Sequence, residues 1–280
     1  MESKTRETSF AALVDKYDNF IFDCDGVLWI ENHLIGDSMG VLKKLLAAGK
    51  KVFFVTNASR CPREGHQEKL KQFNFEVPIE HIYSASYLSA QYFKRNHPEI
   101  KHIYVVGHYG ITTEFTRAGI KCSGGDQHND AQAQFTSEDM LTDYDPSIQA
   151  VVAGMDSEIN FYKMSYALRV VQEGGKFFCT NHDATSKAGD FFMPGGGSIV
   201  AALEFSIGRK AQILGKPNPF GFELIKEEHN CDPARTLMIG DRIDTDIMFG
   251  NNAGIDTLLV MTGVTTEKIR EEVLNSESGI

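Results

Sequence analysis

The sequence FIFDCDGVLW, residues 20–29, joins a run of three apolar residues to a short acidic turn. The apolar run is typical of a buried β-strand, and the turn that ends it carries two carboxylates, Asp23 and Asp25. In open α/β sheets, ligands bind beyond the carboxyl ends of the strands. This turn is therefore predicted to face a binding site.

Similar apolar runs recur along the chain and alternate with helix-like stretches, which indicates a parallel sheet covered by helices. The clearest candidate strands of one sheet are residues 20–22, 52–55, 213–214, 237–239 and 257–260. The long interval inside this set has its own candidate strands at 103–106, 150–152 and 176–179, and a helix pattern from 160 to 171. We therefore predict an α/β core, residues 1–100 and 211–280, with an inserted α/β domain at 101–210. The polar stretch 123–146 is expected to be a long connection with one short helix.

Charge and cysteine content exclude several other classes of protein. The net charge of -10 disfavours nucleic acid and anionic membranes as partners, because both attract basic surfaces. The five cysteines are scattered without a C-x-x-C pair, so reduced thiols are expected rather than disulfides or a zinc site. The first ten residues lack the apolar stretch of a signal peptide, and no run reaches the roughly 20 residues of a membrane span. A cytoplasmic location is predicted.

Four predicted strand ends carry polar groups that suit one shared site: residues 23–26, 56–60, 215–217 and 240–246. Crowding Asp23, Asp25 and Asp241 there is unfavourable, since two like charges ~4 Å apart repel by about 4 kcal/mol at an effective dielectric of ~20. Carboxylate and carbonyl oxygens without His or Cys suit Mg²⁺. Asp241 is expected to bind the metal, and Asp246 to orient Lys216 or a metal-bound water.

With Mg²⁺ in place, the same residues fit phosphoryl transfer, in which catalysis is mainly positioning and charge neutralisation. Asp23 is suited to attack phosphorus. Asp25 is suited to protonate the leaving oxygen and then to deprotonate the attacking water. Thr56 or Asn57 would donate hydrogen bonds to the phosphoryl oxygens, and Lys216 would supply a positive charge.

On these motifs the chain resembles the haloacid dehalogenase superfamily of aspartate-nucleophile phosphatases, over nearly its whole length. Its motifs look like the branch that contains 4-nitrophenylphosphatase, phosphoglycolate phosphatase and pyridoxal phosphate phosphatase. The resemblance implies a Rossmann-like doubly wound parallel core with a large α/β cap inserted between the second and third motifs. It also implies that homodimers form through the cap, as is common among eukaryotic relatives.

The resemblance further implies roles for individual residues. Asp23 would be the nucleophile, Asp25 the acid and base, and Lys216 the phosphate-binding lysine. Mg²⁺ would be bound by the Asp23 side chain, the Asp25 backbone carbonyl and Asp241. The family's phosphate-binding loop is matched by three further residues, Thr56, Asn57 and Ala58.

The cap is expected to choose the substrate. Residues 180–183 are similar to the family's Thr-Asn-x-Asp specificity loop, in which His182 would either contact a substrate carboxylate or phosphate or be a solvated loop histidine. The loop histidine of pyridoxal phosphate phosphatases has no counterpart, because residues 184–187 read ATSK. A phosphoglycolate-like substrate, with 4-nitrophenyl phosphate also cleaved, is therefore favoured. Pyridoxal phosphate, glycerol phosphate and sugar phosphates are the alternatives.

Two other functions use similar residues. A phosphoacceptor signalling domain combines Asp, a hydroxyl residue, Lys and Mg²⁺, but Asp25 favours rapid hydrolysis and a small receiver has no use for a cap. A phosphomutase would return phosphate to a sugar. Trp29, just after the first motif, is interpreted as a packing residue rather than a platform for substrate.

Overall fold

The computed structural model describes residues 9–132 and 144–275, so part of the predicted 123–146 connection and the first eight residues lie outside it. The strands are β1 (Asn19–Phe22), β2 (Trp29–Ile30), β3 (His33–Leu34), β4 (Lys51–Thr56), β5 (Ile82–Ser84), β6 (His102–Val106), β7 (Lys121–Gly124), β8 (Ala150–Ala153), β9 (Lys176–Cys179), β10 (Thr185–Ala188), β11 (Phe191–Pro194), β12 (Gln212–Ile213), β13 (Thr236–Gly240) and β14 (Asp256–Leu259). The α-helices are α1 (Phe10–Lys16), α2 (Ser38–Ala47), α3 (Arg63–Gln72), α4 (Ala85–Asn96), α5 (Tyr109–Arg117), α6 (Phe161–Gln172), α7 (Gly196–Ile207), α8 (Phe220–His229), α9 (Met248–Ala253) and α10 (Glu267–Asn275).

The first sheet has five parallel strands in the order β14-β13-β1-β4-β5. Phe22 at the end of β1 pairs with Ile239 of β13 on one side and with Phe54 of β4 on the other. The residues that follow these strands therefore meet at one edge, as the sequence predicted. Phe22 packs in the core on one face of the sheet and Ile21 in the core on the other, so both faces are covered. The predicted doubly wound α/β architecture is confirmed.

The second sheet is also parallel, in the order β12-β9-β8-β6-β7. One prediction was wrong: the apolar run 213–214 does not join the first sheet, because Ile213 in β12 pairs with Cys179 in β9. The edge position of the first sheet is taken instead by β5, which the sequence did not reveal. Hydrophobic periodicity identifies a short buried strand but contains no information about which sheet it joins.

Helix α4 lies between the two sheets. Its Leu88 belongs to the core under the first sheet, whereas its Phe93 belongs to the core under the second. On the far side of the second sheet, α6 buries Lys163 completely. The Nζ atom of Lys163 is 2.8 Å from Oδ2 of Asp156 and 2.6 Å from Oδ1 of Asn129. A buried ammonium requires such partners, because leaving it unpaired would be costly.

Two predictions about the whole chain can be compared with the structure. All five cysteines are unpaired, as expected. In the ranges 9–132 and 144–275, no helix combines the length and the apolar character that crossing a membrane requires.

Candidate active site

Lys216 joins the carboxyl ends of the first sheet into one site. Its Nζ atom donates to Oδ1 of Asp23 at 2.7 Å and to the carbonyl oxygen of Val55 at 2.8 Å, and it lies 2.7 Å from Oδ1 of Asp246. All three charged side chains are more than nine-tenths buried. Asp246 is held in turn, because its Oδ2 atom accepts from the backbone N–H groups of Asp241 and Arg242, each at 3.1 Å. Four segments distant in sequence therefore meet here.

Burial and charge act against each other in this cluster. Burial raises the pKa of Asp23 well above its usual range, and the charge of Lys216 opposes this. Burial lowers the pKa of Lys216, but Asp23 and Asp246 outweigh it and raise that pKa above its ordinary value. The contact with Lys216 decides the charge state of Asp23, because an ammonium held 2.7 Å from a carboxylate favours its ionised form. Burial and then the charge of Asp246 raise the pKa of Asp241 to about 6.

The donor set fits a divalent cation. One carboxylate oxygen from each of Asp23, Asp241 and Asp246 lies within 4.8 Å of the others. The Oδ1 atom of Asp241 is buried, and no described residue donates a hydrogen bond to it. Three ionised carboxylates and one ammonium leave two uncompensated negative charges, which one Mg²⁺ ion balances.

Small residues make room for the Asp241 carboxylate. A Cβ atom on Gly26, whose φ is +87°, would lie 2.6 Å from Oδ2 of Asp241. A Cβ atom on Gly263 would overlap the same oxygen. The N–H group of Val264 donates to this oxygen at 2.6 Å, which fixes the carboxylate and leaves Oδ1 as its open side.

Asp25 lies at the opening of the site, and its side chain is half-exposed. Its Oδ1 atom accepts a hydrogen bond of 2.8 Å from the indole N–H of Trp29. The same oxygen is 3.7 Å from the Nζ atom of Lys69. Trp29 is almost fully buried and stacks on Phe73, so its interpretation as a packing residue is confirmed, but its hydrogen bond to Asp25 was not foreseen.

The side chain of Asn57 is fully engaged. Its Oδ1 atom accepts from the backbone N–H of Lys216 at 2.9 Å, and its Nδ2 atom donates to the carbonyl oxygen of Lys216 at 3.1 Å and to Oδ1 of Asp183 at 3.0 Å. Asn181 also donates to the carbonyl oxygen of Asn57, at 2.5 Å. Asn57, which follows β4 of the first sheet, therefore contacts the loops after β9 and β12 of the second sheet.

The other residues of this loop are arranged differently. The N–H group of Ala58 donates to Oγ1 of Thr56 at 3.1 Å. The hydroxyl group of Thr56 keeps its own proton to donate. Of the two side chains proposed to contact phosphoryl oxygens, Thr56 is therefore better placed than Asn57.

A cavity of about 520 Å³ lies between the two sheets. Asp23 and Asp241 line it from the first sheet, and Lys216 lines it from the segment that follows β12. Asp183 and Lys187 line it from the second-sheet side. The cavity therefore has room for a small molecule against Asp23, enclosed by the inserted segment.

His182 is not part of the cavity lining, although its neighbours Asn181 and Asp183 are. Its Nε2 atom lies 3.3 Å from Oε2 of Glu204, near the C-terminal end of α7. The geometry supports neither of the two predicted contacts, with a substrate carboxylate or with phosphate. The alternating direction of side chains in the loop sends residues 181 and 183 inwards and residue 182 away.

Three contacts at the site were missed in the sequence. Lys69 lies on the charged surface of α3, where one lysine looks like any other. Val264 acts through its backbone N–H, which no side-chain pattern reveals. Lys187 donates to the carbonyl oxygens of Thr262 and Gly263 at 3.3 and 3.4 Å, a contact between two segments far apart in sequence. The only local signal was Gly263, a glycine just beyond the last strand.

Comparisons with known proteins agree with this geometry. The family model described as haloacid dehalogenase-like hydrolase matches residues 20–121, and a second model of HAD-hydrolase-like proteins matches residues 213–277. Phosphoglycolate phosphatase 2 of Arabidopsis thaliana is 39% identical over 265 residues, covering 93% of this chain and 88% of the relative. Glycerol-3-phosphate phosphatase of Gallus gallus is 36% identical over 273 residues, covering 94% and 86%.

Among solved structures, p-nitrophenyl phosphatase from Archaeoglobus fulgidus is similar with a TM-score of 0.78 and 30% identity, over 92% of this chain and 91% of that one. The chain belongs to the haloacid dehalogenase-like hydrolases. Within that family it is a phosphatase.

Proposed function

We propose that this phosphatase uses Mg²⁺ to hydrolyse a small phosphomonoester of the phosphoglycolate type, through a phosphoryl group carried on Asp23. The observation that carries the proposal is the contact of Lys216 with both Asp23 and Asp246 at 2.7 Å, beside the open Oδ1 atom of Asp241. One cavity is then lined by the nucleophile Asp23, by the ammonium of Lys216 for the phosphoryl oxygens, and by the carboxylate of Asp241.

The residues that would hold Mg²⁺ are Asp23, Asp241 and the backbone carbonyl of Asp25. When bound, the ion neutralises charge on the phosphoryl oxygens. Asp246 has a different part in this proposal: its Oδ1 atom is paired with the Nζ atom of Lys216 at 2.7 Å, and its Oδ2 atom accepts from two backbone N–H groups. It holds Lys216 in position rather than binding the metal.

In the proposed reaction, these side chains act in two steps. Asp23 attacks phosphorus and forms an acyl phosphate, while Asp25 gives a proton to the leaving oxygen. Asp25 then removes a proton from water, and the water oxygen attacks the phosphorus and releases Asp23. Lys216 and the Thr56 hydroxyl bind the phosphoryl oxygens in both steps. Ala58 supports Thr56 through the hydrogen bond to its oxygen.

The inserted segment acts as the cap in this proposal. It supplies Asp183 and Lys187 to the cavity wall. Two relatives and one similar structure are named for phosphoglycolate, glycerol 3-phosphate and p-nitrophenyl phosphate, which supports this substrate class. Phosphoglycolate is placed first because of the higher identity of that relative.

The proposal includes a homodimer formed through the cap and a cytoplasmic location. Strand β11 exposes Phe191, Phe192 and Met193, and Phe205 of α7 is 92% exposed. Clustered apolar side chains of this kind mark surfaces that bind protein. The five unpaired cysteines suit a reducing compartment.

The test is release of inorganic phosphate from phosphoglycolate, glycerol phosphate, pyridoxal phosphate and 4-nitrophenyl phosphate, with Mg²⁺ and with EDTA. We expect Mg²⁺-dependent release with the highest kcat/KM for phosphoglycolate. Asp23→Asn should abolish turnover and leave the circular dichroism spectrum unchanged. A stable phosphoprotein would favour the signalling alternative, and transfer of phosphate to a second sugar would favour a mutase.

A further inference from the structure

The indole group of Trp29 is directed at the proposed proton carrier. We propose that Trp29 is a positioning residue that, together with Lys69, holds Oδ1 of Asp25 so that Oδ2 is the oxygen that transfers the proton. This inference rests on the proposed function, because it assigns a partner to the acid and base of that reaction. It goes beyond it by naming the atom that carries the proton and the groups that orient it.

Asp25 needs an external support because of where it lies. Asp23, two residues earlier, is buried and fixed by Lys216, whereas 52% of the Asp25 side chain is exposed. An exposed carboxylate samples several rotamers, and proton transfer requires one of them. The contacts of Oδ1 with Trp29 and Lys69 select an orientation. No described residue bonds to Oδ2, which leaves that oxygen for the substrate.

Trp29 can serve as a support because it cannot move easily. It is 1% exposed, and its ring stacks on Phe73 with centroids 5.7 Å apart and planes inclined by 27°. The carbonyl oxygen of Trp29 accepts from the N–H group of Gly26 at 2.8 Å, which closes the turn that contains Asp25. The indole N–H is therefore fixed both to the core and to the catalytic turn, and rigid supports of this kind hold catalytic groups precisely.

Lys69 contributes charge to the same arrangement. Its Nζ atom lies 4.5 Å from the centroid of the Trp29 ring and 3.7 Å from Oδ1 of Asp25. The ammonium is thus attracted by both the ring and the carboxylate. Because it stands farther from the carboxylate than the indole does, its removal is expected to have a smaller effect.

The alternative explanation is that Trp29 only fills the core. Buried tryptophans usually find a hydrogen-bond partner wherever one is available. The two explanations differ in a measurable way. A core defect slows the first chemical step with either leaving group, whereas misplacing the proton donor slows that step only for a leaving group that needs a proton.

The experiment compares single-turnover cleavage of phosphoglycolate, whose leaving alkoxide needs a proton, with the burst of 4-nitrophenolate, which leaves without one. Trp29→Phe keeps the ring and its packing but removes the N–H. At saturating phosphoglycolate, we expect it to lower the single-turnover rate constant about tenfold. This is part of the roughly 10²- to 10⁴-fold rate acceleration that a general acid contributes. The 4-nitrophenolate burst should change less than about twofold. Lys69→Gln should show the same selectivity with about a threefold loss, and it serves if Trp29→Phe does not fold.

A double-mutant cycle separates positioning from structure. In an Asp25→Asn background, Trp29→Phe should cause no further loss. Phe75→Leu makes a defect in the same core, where the Phe75 ring packs edge-on against Phe54 and not on the indole; it is the matched control and should leave the ratio of the two rates unchanged. Equal slowing of both substrates by Trp29→Phe, or an additional loss in the double variant, would overturn the inference. If Asp25→Asn itself shows no dependence on the leaving group, the proposed role of Asp25 fails as well.

Discussion

Lys216 is the only described cation in contact with both Asp23 and Asp246, so replacing it by Met should have a large effect on stability. Methionine is close to lysine in volume, and the change removes charge with little loss of packing. Two buried carboxylates then lose a partner 2.7 Å away. Removing one partner of a buried pair typically costs about 3–5 kcal/mol. In EDTA we expect Lys216→Met to lower the free energy of unfolding by about this amount.

The assay is urea unfolding followed by circular dichroism, with and without Mg²⁺. Lys163→Met is the matched control, because Lys163 is equally buried and lies 2.8 Å from Asp156, away from the cavity. It should lose a similar free energy of unfolding but keep kcat within about twofold at a temperature where it is folded. Lys216→Met should lose at least about 100-fold in kcat, as is typical for removing an electrostatic group at a reacting centre.

Mg²⁺ distinguishes the two variants further. A ligand at 100 times its Kd stabilises the folded state by about 2.7 kcal/mol. With the ammonium gone, the carboxylates of Lys216→Met should bind Mg²⁺ more strongly, so added Mg²⁺ should stabilise this variant more than the wild type. Lys163→Met should respond like the wild type. If Lys216→Met loses less than about 1 kcal/mol in EDTA, the carboxylates are not ionised and buried together, and the electrostatic reasoning is wrong.

Two further predictions concern acid stability and cap closure. Burial lowers the pKa of His66 from 6.5 to about 4. The stability associated with neutral His66 is therefore complete above pH 6.5 and is lost as pH falls through about 4. The free energy of unfolding in urea should fall between pH 7 and pH 4, and His66→Gln should reduce this fall by about 3 kcal/mol. The same fall in the variant and the wild type would contradict the prediction. Asp183→Ala removes the acceptor of Asn57 Nδ2 across the cleft and should raise KM about five- to tenfold. The control is Asp190→Ala, at an exposed position, which should leave KM unchanged. Equal KM values for Asp183→Ala and the wild type would show that the contact does not hold the cap.

The residues of the first-sheet site were predictable because each follows a strand directly. A strand of apolar residues is visible in the sequence, and parallel strands bring their carboxyl ends to one edge. Asp23 and Asp241 therefore had to lie near each other once the parallel sheet was recognised, whereas Lys216 follows β12 of the second sheet. Lys216 contacts Asp23 as predicted, but it comes from the second sheet and not from the first sheet to which its strand was assigned.

The contacts made by the inserted segment were not predictable in the same way. Whether Asn57 binds a phosphoryl oxygen or a neighbouring loop depends on how the second sheet lies on the first, which no local pattern records. The direction of His182 depends on the path of one loop, and the partner of β12 depends on tertiary packing. The hydrogen bond from Trp29 to Asp25 joins residues only four apart, but it depends on the shape of an irregular turn.

The position of β1 between β4 and β13 affects how the chain folds during synthesis. Phe54 follows soon after Phe22, but Ile239 is made only after the whole second sheet. At about 5–20 residues per second, a ribosome needs roughly 10 to 40 s to cover that distance. During this time one side of β1 has unpaired N–H and C=O groups, which are prone to aggregation. Asp241 therefore joins Asp23 only near the end of translation, so the site cannot form before most of the chain has been made.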